Sequence, residues 1–223
     1  MSRLGAPTYS RAMSSGHRAA RPPARGETRR LSGRPLDRAK NQAITAAVVD
    51  VLARLGYSGF TMDEVALAAG VGKAAIYRRW CSKTDLLVSY TEESITGTLD
   101  LSDTGSLRTD LVGLLSSAVT HFNGPAGRAN RALLSVVHDD PELASAYHAG
   151  PVTEWNAAFG EVFDRAARRG EIGPAVASSV AAEAGAAILV QRWLLWGAHI
   201  DEALVIAVVD DVMLPLLRDR DDA

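Results

Sequence analysis

The 223-residue sequence predicts an all-α protein of about nine helices, and three features predict it. Apolar residues recur at i, i+3, i+4 and i+7 in segment after segment, the spacing of one helix face. No segment alternates with period two for long enough to form a strand. The composition, 47% hydrophobic and 22% charged with a formal net charge of −2, lets a chain of this length bury a core without staples. A single cysteine, Cys81, excludes an intramolecular disulfide and a cysteine-cluster zinc site, and a buried or partly buried, inert thiol is expected there. A reducing, cytoplasmic location is the consistent expectation. No run approaches the ~18 uninterrupted apolar residues of a membrane helix. The longest candidate, Ala186 to Trp196, is broken by Gln191 and Arg192, so no membrane partner is expected.

The first 36 residues are rich in Arg, Ser, Pro and Ala and hold one acid, Glu27. They read as a disordered basic arm. A transit leader and an arm reaching into DNA are the competing readings, and no apolar run marks a secretory signal. The helical pattern starts near Asp37. Ile44, Ala47, Val48, Val51, Leu52 and Leu55 form one stripe, closed by Gly56 as a C′ residue. Thr61-Met62-Asp63-Glu64 reads as a capping box opening a short helix that Gly70 ends. A tight Gly70-Val71-Gly72 turn feeds a second short helix, Lys73 to Trp80. Ser82-Lys83-Thr84-Asp85 caps a longer helix running to about Thr98.

The remainder is helical by the same test. Leu107, Leu111, Leu114, Leu115, Ala118, Val119 and Phe122 form a stripe, and a shorter segment follows around Arg128 to Val137. A longer one runs from Pro141, a good first-turn proline, to Arg169, with a kink or break expected at Gly150-Pro151. Two more, Pro174 to Gly197 and Ile200 to about Leu217, complete the chain, with Pro215 expected to disturb the last turn.

Charge is unevenly distributed. Residues 1–90 hold 15 Lys+Arg against 6 Asp+Glu, whereas residues 91–223 hold 9 against 20. A basic end of this kind points to a polyanion partner. Within it, residues 1–40 carry ten basic groups and two acids, so bulk attraction belongs to the arm and any recognition by 41–90 rests on a few placed groups.

Two short helices joined by a glycine-containing turn in a basic segment describe a helix-turn-helix, here 61–80. Ile76 and Trp80, four apart, pack toward Val65, Ala66 and Ala69 of the first helix. Phe60 joins that core. Lys73, Ala74, Tyr77 and Arg78 then face outward, flanked by Ala75 and Arg79, a face suited to phosphates and base edges.

Thr61 through Leu87, TMDEVALAAGVGKAAIYRRWCSKTDLL, resembles the DNA-binding signature of TetR/AcrR-type transcriptional regulators, and the match extends over about 38–98. The resemblance implies that Thr61, Tyr77 and Lys83 touch phosphates, while Lys73, Ala74, Ala75, Arg78 and Arg79 face bases or flanking backbone. Arg78 or Lys73 is the expected guanine reader. Gly72 replaces the commoner Ser or Thr cap of the recognition helix, and Ala74-Ala75 stands where a Gly-Thr pair is frequent, so no relative's operator transfers to this chain.

The same resemblance divides the chain into a helix-turn-helix domain at 37–84 and a ligand-binding and dimerisation domain at 85–223. It implies a homodimer, a (pseudo)palindromic double-stranded DNA operator, and release of a repressor by a small hydrophobic effector, without a cofactor. Candidate pocket residues are Phe122, Tyr147, Trp155, Phe159, Phe163 and Trp193, with His121, His138, Asn156 and Gln191 as polar orienters. The last two long helices are apolar on more than one face, which assigns Ala187, Val190, Leu194, Leu204, Val208 and Val212 to a subunit interface. An architectural or activating DNA binder without an effector is the runner-up. A helical metal-dependent hydrolase built on His138-Asp139-Asp140 with His121 or His199 fits no metal-ligand spacing, and no catalytic or metal residue is expected.

Overall fold

The computed structural model describes residues 35–93, 99–174 and 180–218; the arm expected over 1–36 therefore lies outside them except for its last two residues. The helices are α1 (Pro35–Gly59), α2 (Met62–Ala68), α3 (Lys73–Tyr77), α4 (Lys83–Glu93), α5 (Leu107–Asn123) and α6 (Pro125–Leu134), followed by α7 (Pro141–Tyr147), α8 (Thr153–Arg168), α9 (Val180–Leu195), α10 (Glu202–Ala207) and α11 (Leu214–Arg218). No strand occurs among the described residues. One π-helical turn, His148–Val152, joins α7 to α8, and a second, Val208–Met213, joins α10 to α11, so the described segments form nine continuous helical bodies.

Local chemistry sets the boundaries. Gly56 interrupts α1 at φ 65°, a left-handed conformation that a side chain would strain. The Thr61 hydroxyl accepts from the Glu64 amide at 3.1 Å and starts α2. Gly70, at φ 64°, ends it in a Schellman turn: the Val71 amide donates to Ala66 O and the Gly70 amide to Leu67 O. At α4 the capping box is reciprocal, with Asp85 N donating to Ser82 Oγ at 3.0 Å and Ser82 N to Asp85 Oδ2 at 3.1 Å. The expected continuation of α4 to Thr98, and that of α9 back toward Pro174, fall partly on 94–98 and 175–179, outside the described residues.

The two proline expectations resolve differently. Pro151 neither breaks nor stops the long helix; the π-turn around it widens the ring by one residue and absorbs the missing N–H. Pro215 leaves its own segment helical, and the irregularity lies upstream at Val208–Met213, which includes Asp211, the i−4 carbonyl its ring would meet.

Two apolar cores result. The larger joins α5, α8, α9, α10 and α11 around Leu111, Leu114, Phe163 and Leu189. The smaller joins α1 to α4 around Val48, Phe60, Val65, Ile76 and Leu87, and it continues into α6 and α7 through Ala129, Leu133, Val137 and Leu143. An ionic clamp fastens the 99–106 loop to the larger core. The fully buried Asp110 carboxylate accepts from Thr104 N and Oγ1 and from Arg169, while Arg165 donates to the carbonyls of Leu101 and Ser102. Burial pushes the Asp110 carboxyl up, but its bonds from Thr104 and Arg169 outweigh this and hold it below the usual carboxylate range.

Candidate nucleic-acid interface and internal cavity

The short α3 is held by Ile76, which is fully buried against α2, and Trp80 covers the edge of the same core. The opposite face therefore points outward by helical geometry. Lys73, Ala74, Tyr77 and Arg78 are exposed, Tyr77 to 51%, and Ala75 is half-buried. The four cations near this face differ in their engagements. Lys73 Nζ pairs with Asp63 Oδ2 at 2.6 Å, which raises its pKa. Arg79 turns back to donate to Asn41 of α1. Lys83 Nζ donates to the Tyr57 carbonyl at 2.6 Å and lies 3.4 Å from the centre of the Tyr57 ring, and burial lowers its pKa. The Arg78 side chain is exposed, and among the described residues no hydrogen bond or ion pair holds its guanidinium. Cys81, just beyond this helix, is exposed and not buried as its apolar character suggested, because its backbone is drawn into the α4 cap by Asp85 Oδ2 at 2.8 Å.

A cavity of about 240 Å³ lies between α5, α6, α8 and α9, with Tyr147 and with Pro151 and Val152 of the first π-turn also in its wall. Phe122 stacks on Trp193 with ring centres 4.7 Å apart and planes 16° apart, and Trp155 leans on Phe122 at 6.0 Å. His121 and Asn130 supply polar atoms, with Asn130 Nδ2 3.1 Å from His121 Nε2. Burial lowers the His121 pKa and pushes the Tyr147 phenol up to about 12. Helix α6 separates the two sites: Ala129 and Leu133 sit in the helix-turn-helix core, and Asn130 and Leu134 line the cavity.

Residues 44–90 match the model of bacterial regulatory proteins of the tetR family, and residues 101–212 match the tetracyclin repressor-like C-terminal domain. A DNA-binding transcriptional repressor TetR of Mycobacteroides abscessus is 32% identical over 87% of this chain and 97% of its own length. The chain belongs to the TetR family of transcriptional regulators. An uncharacterised HTH-type transcriptional regulator of Mycobacterium tuberculosis is 30% identical over 86% of this chain and 96% of that protein. The crystal structure of the TetR family regulator SCO0332 shares 28% identity, with a TM-score of 0.60 over 78% of this chain and 96% of that one. The fold is also that of the regulator FadR from Bacillus subtilis, solved in complex with stearoyl-CoA, at 19% identity and a TM-score of 0.65 over 79% and 97%.

Within this TetR-type chain the cavity gathers Phe122, Tyr147, Trp155 and Trp193, together with His121. Five candidates lie elsewhere. His138 is exposed beyond the end of α6. Phe159 is buried in the larger core, one turn from Trp155 and edge-on to it at 5.1 Å. Gln191 is exposed on the outer face of α9, in register with Ala187 and Leu195. Phe163 is core as well, and Asn156 is exposed.

The residues assigned to a subunit interface fall in different places. Val190 and Leu194 line the cavity, and Val208 is buried in its own chain's core. Leu204 and Val212 are half-buried, and Ala187 is exposed. The exposed large apolar residues in this part of the chain are Val180, Leu195, Trp196 and Leu216, with Val180 78% and Leu195 70% exposed. Sequence reasoning missed Asn130 as a wall residue, although a signal was present: it falls four residues before Leu134, one helical turn away on the same side of α6. The His138-Asp139-Asp140 cluster has a structural explanation, since Asp140 caps α7 by accepting from Glu142 N and Leu143 N. Among the described residues no group of three or more His, Cys, Asp or Glu could hold a metal ion, and no helix is long and apolar enough to cross a membrane.

Proposed function

We propose that this regulator is a homodimeric repressor that leaves a (pseudo)palindromic operator when a small apolar molecule fills the cavity behind α6. One observation carries the reading: α6 presents Ala129 and Leu133 to the DNA-reading core and Asn130 and Leu134 to the cavity, so both sites bias one element. A second tie runs through α4, where Thr84 Oγ1 donates to Asp140 Oδ2, the cap of α7, at 3.0 Å; the far end of α7 is Tyr147 in the cavity wall. An effector releases DNA only to the extent that it binds the DNA-incompetent arrangement more tightly. Residues 37–84 act as the reading unit and 85–223 as the effector and dimer unit.

In the bound state Thr61, Tyr77 and Lys83 hold phosphates. Lys83 has three ammonium donors, so it can keep the Tyr57 carbonyl and still offer a proton to DNA. Arg78 is the guanine reader, because Lys73 must first leave Asp63 and Arg79 is turned to Asn41. Ala74 and Ala75 let the helix approach closely. The exposed Val180, Ala187, Leu195 and Leu216 of the last helices pair two subunits, setting two α3 helices about 34–36 Å apart to match one turn of DNA.

Fluorescence anisotropy on DNA flanking the gene, against scrambled controls, tests the reading, with a library of apolar compounds added to the complex. Specific binding and release by at least one compound are expected, as is higher transcription of the neighbouring gene when the regulator is deleted. Equal affinity for scrambled DNA would overturn the operator half. Specific binding insensitive to every compound would overturn the effector half.

A further inference from the structure

Helix α4, which follows the DNA reader, carries a buried polar atom without a partner. Tyr90 is 3% exposed in the smaller core, and its hydroxyl is closed to solvent and makes no hydrogen bond. Buried polar groups are nearly always paired, and an unmade bond there is costly. Since neither water nor an occupant of the cavity reaches this atom, only a neighbouring side chain can complete it. Tyr147 is that neighbour. Thr84 of α4 and Asp140, the cap of α7, are bonded at 3.0 Å, and Leu87 and Leu143, three residues further along each, share the smaller core. Six residues along α4 and seven along the other chain segment, about 9 and 10.5 Å at helical rise, bring Tyr90 and Tyr147 level on helices that run side by side in the same direction. Tyr147 packs on that core and also lines the cavity, so both sites share its ring. Its half-buried hydroxyl makes no hydrogen bond among the described residues. Burial first, and then the closeness of Tyr147, push the Tyr90 phenol up to about 12, and burial does the same to Tyr147. Both hydroxyls therefore keep their protons at neutral pH, and either can donate to the other.

We propose that Tyr147 is a positioning residue that reports the filling of the cavity to α4 by closing a hydrogen bond with Tyr90. The proposal rests on the reading of this cavity as the effector site and names the contact through which that site acts. In the arrangement described the two hydroxyls are not bonded to each other. A molecule seated against Tyr147 presses its ring toward the core on which it packs, and Tyr90 belongs to that core. The bond then satisfies an atom that nothing else reaches, and it favours the position of α4 in which it forms. Because α4 begins at Lys83, directly after the reader, a shift of α4 moves the end of the helix-turn-helix. An effector drives release only through contacts that differ between the two arrangements, and this bond is such a contact.

Naphthalene serves as the occupant, with its binding to the full chain followed by calorimetry. Operator anisotropy with and without saturating naphthalene gives a release factor for the wild type, Tyr90→Phe, Tyr147→Phe and the double variant. Each single variant is expected to lower that factor about fivefold, one net hydrogen bond's worth, and the double variant no further than either single. Without naphthalene, Tyr90→Phe is expected to melt no lower than the wild type, because its hydroxyl bonds nothing there; a packing role would instead lower the melting temperature and leave the release factor alone. The tyrosine doublet in the ultraviolet resonance Raman spectrum, which responds to phenol hydrogen bonding, should move on naphthalene binding in the wild type and stay in place in Tyr90→Phe. Should one variant fail to fold, the other reads the same contact. An unchanged release factor in the folded variants, additive losses, or a doublet unmoved by bound naphthalene overturns the relay and leaves the effector reading standing. A doublet that moves while operator affinity stays constant bears out the contact and overturns the effector reading. Failure of the folded chain to bind naphthalene overturns the relay, since a cavity that admits no apolar occupant cannot press on Tyr147.

Discussion

Asp140→Ala removes a side chain that joins the first turn of α4 to the cap of α7. Its Oδ1 accepts from Glu142 N and Leu143 N at 3.1 Å each, and its Oδ2 from Thr84 Oγ1 at 3.0 Å. Loss of an N-cap costs about 1 kcal/mol. A part-buried hydroxyl deprived of its acceptor adds roughly another 1 kcal/mol, for a total near 2. Asp140→Asn keeps the cap through its carbonyl oxygen and can reverse the tie, its Nδ2 donating to Thr84 Oγ1, and is expected to lose much less. Thr84→Val, which deletes only the tie, is expected to cost ~1 kcal/mol in the wild type and almost nothing in the Asp140→Ala background. Urea denaturation of the four proteins of the cycle gives these numbers. Operator affinity, measured alongside, should fall in Thr84→Val, because the tie positions the helix that follows the DNA reader. Fully additive losses would refute the argument, since they would mean that Thr84 and Asp140 contribute independently.

Acid should weaken the fold through Asp110. Its folded pKa is depressed, so its stabilisation is complete above the unfolded value near 3.8 and is lost as pH falls through that value and below. Asp110→Asn should lower stability at pH 7 by about 1–3 kcal/mol and flatten the acid limb of a stability–pH curve. Gly127→Ala should destabilise by about 1–3 kcal/mol or more in thermal melts, because a Cβ there meets the Phe122 carbonyl, a backbone atom that cannot swing away. Asp63→Asn frees Lys73 and should raise operator affinity and steepen its salt dependence by about one phosphate's worth, with the melting temperature nearly unchanged; an unchanged salt slope would show that Lys73 touches no phosphate.

The helix-turn-helix was legible because its signals are local. Thr61, Gly70 and the Ser82 to Asp85 box each act within a few residues, and Ile76 and Trp80 orient α3 by spacing alone. The cavity was half legible. Phe122, Trp155 and Trp193 stand out by size, but Trp155, Phe159 and Phe163 share one stripe, and only the tertiary arrangement decides that the stripe leaves the cavity after Trp155. Helix α9 is apolar around most of its circumference, so nothing local shows that Val190 and Leu194 face inward while Ala187, Gln191 and Leu195 face out. The Val208–Met213 π-turn was invisible, because Pro215 marks a constraint without fixing where the helix relieves it. The ties of Lys73, Lys83 and Arg79 depend on partners 10, 26 and 38 residues away, beyond the reach of any pattern.

The central claim is that α3 reads sequence through Arg78 on a two-fold dimer, and randomised-site selection with the wild type and Arg78→Ala tests it most directly. The wild type should enrich a (pseudo)palindrome with half-sites one helical turn apart, and Arg78→Ala should relax preference at one position in each half-site, at a cost of about 1–3 kcal/mol in affinity. Failure to enrich any consensus, or an identical consensus from both proteins, would contradict it.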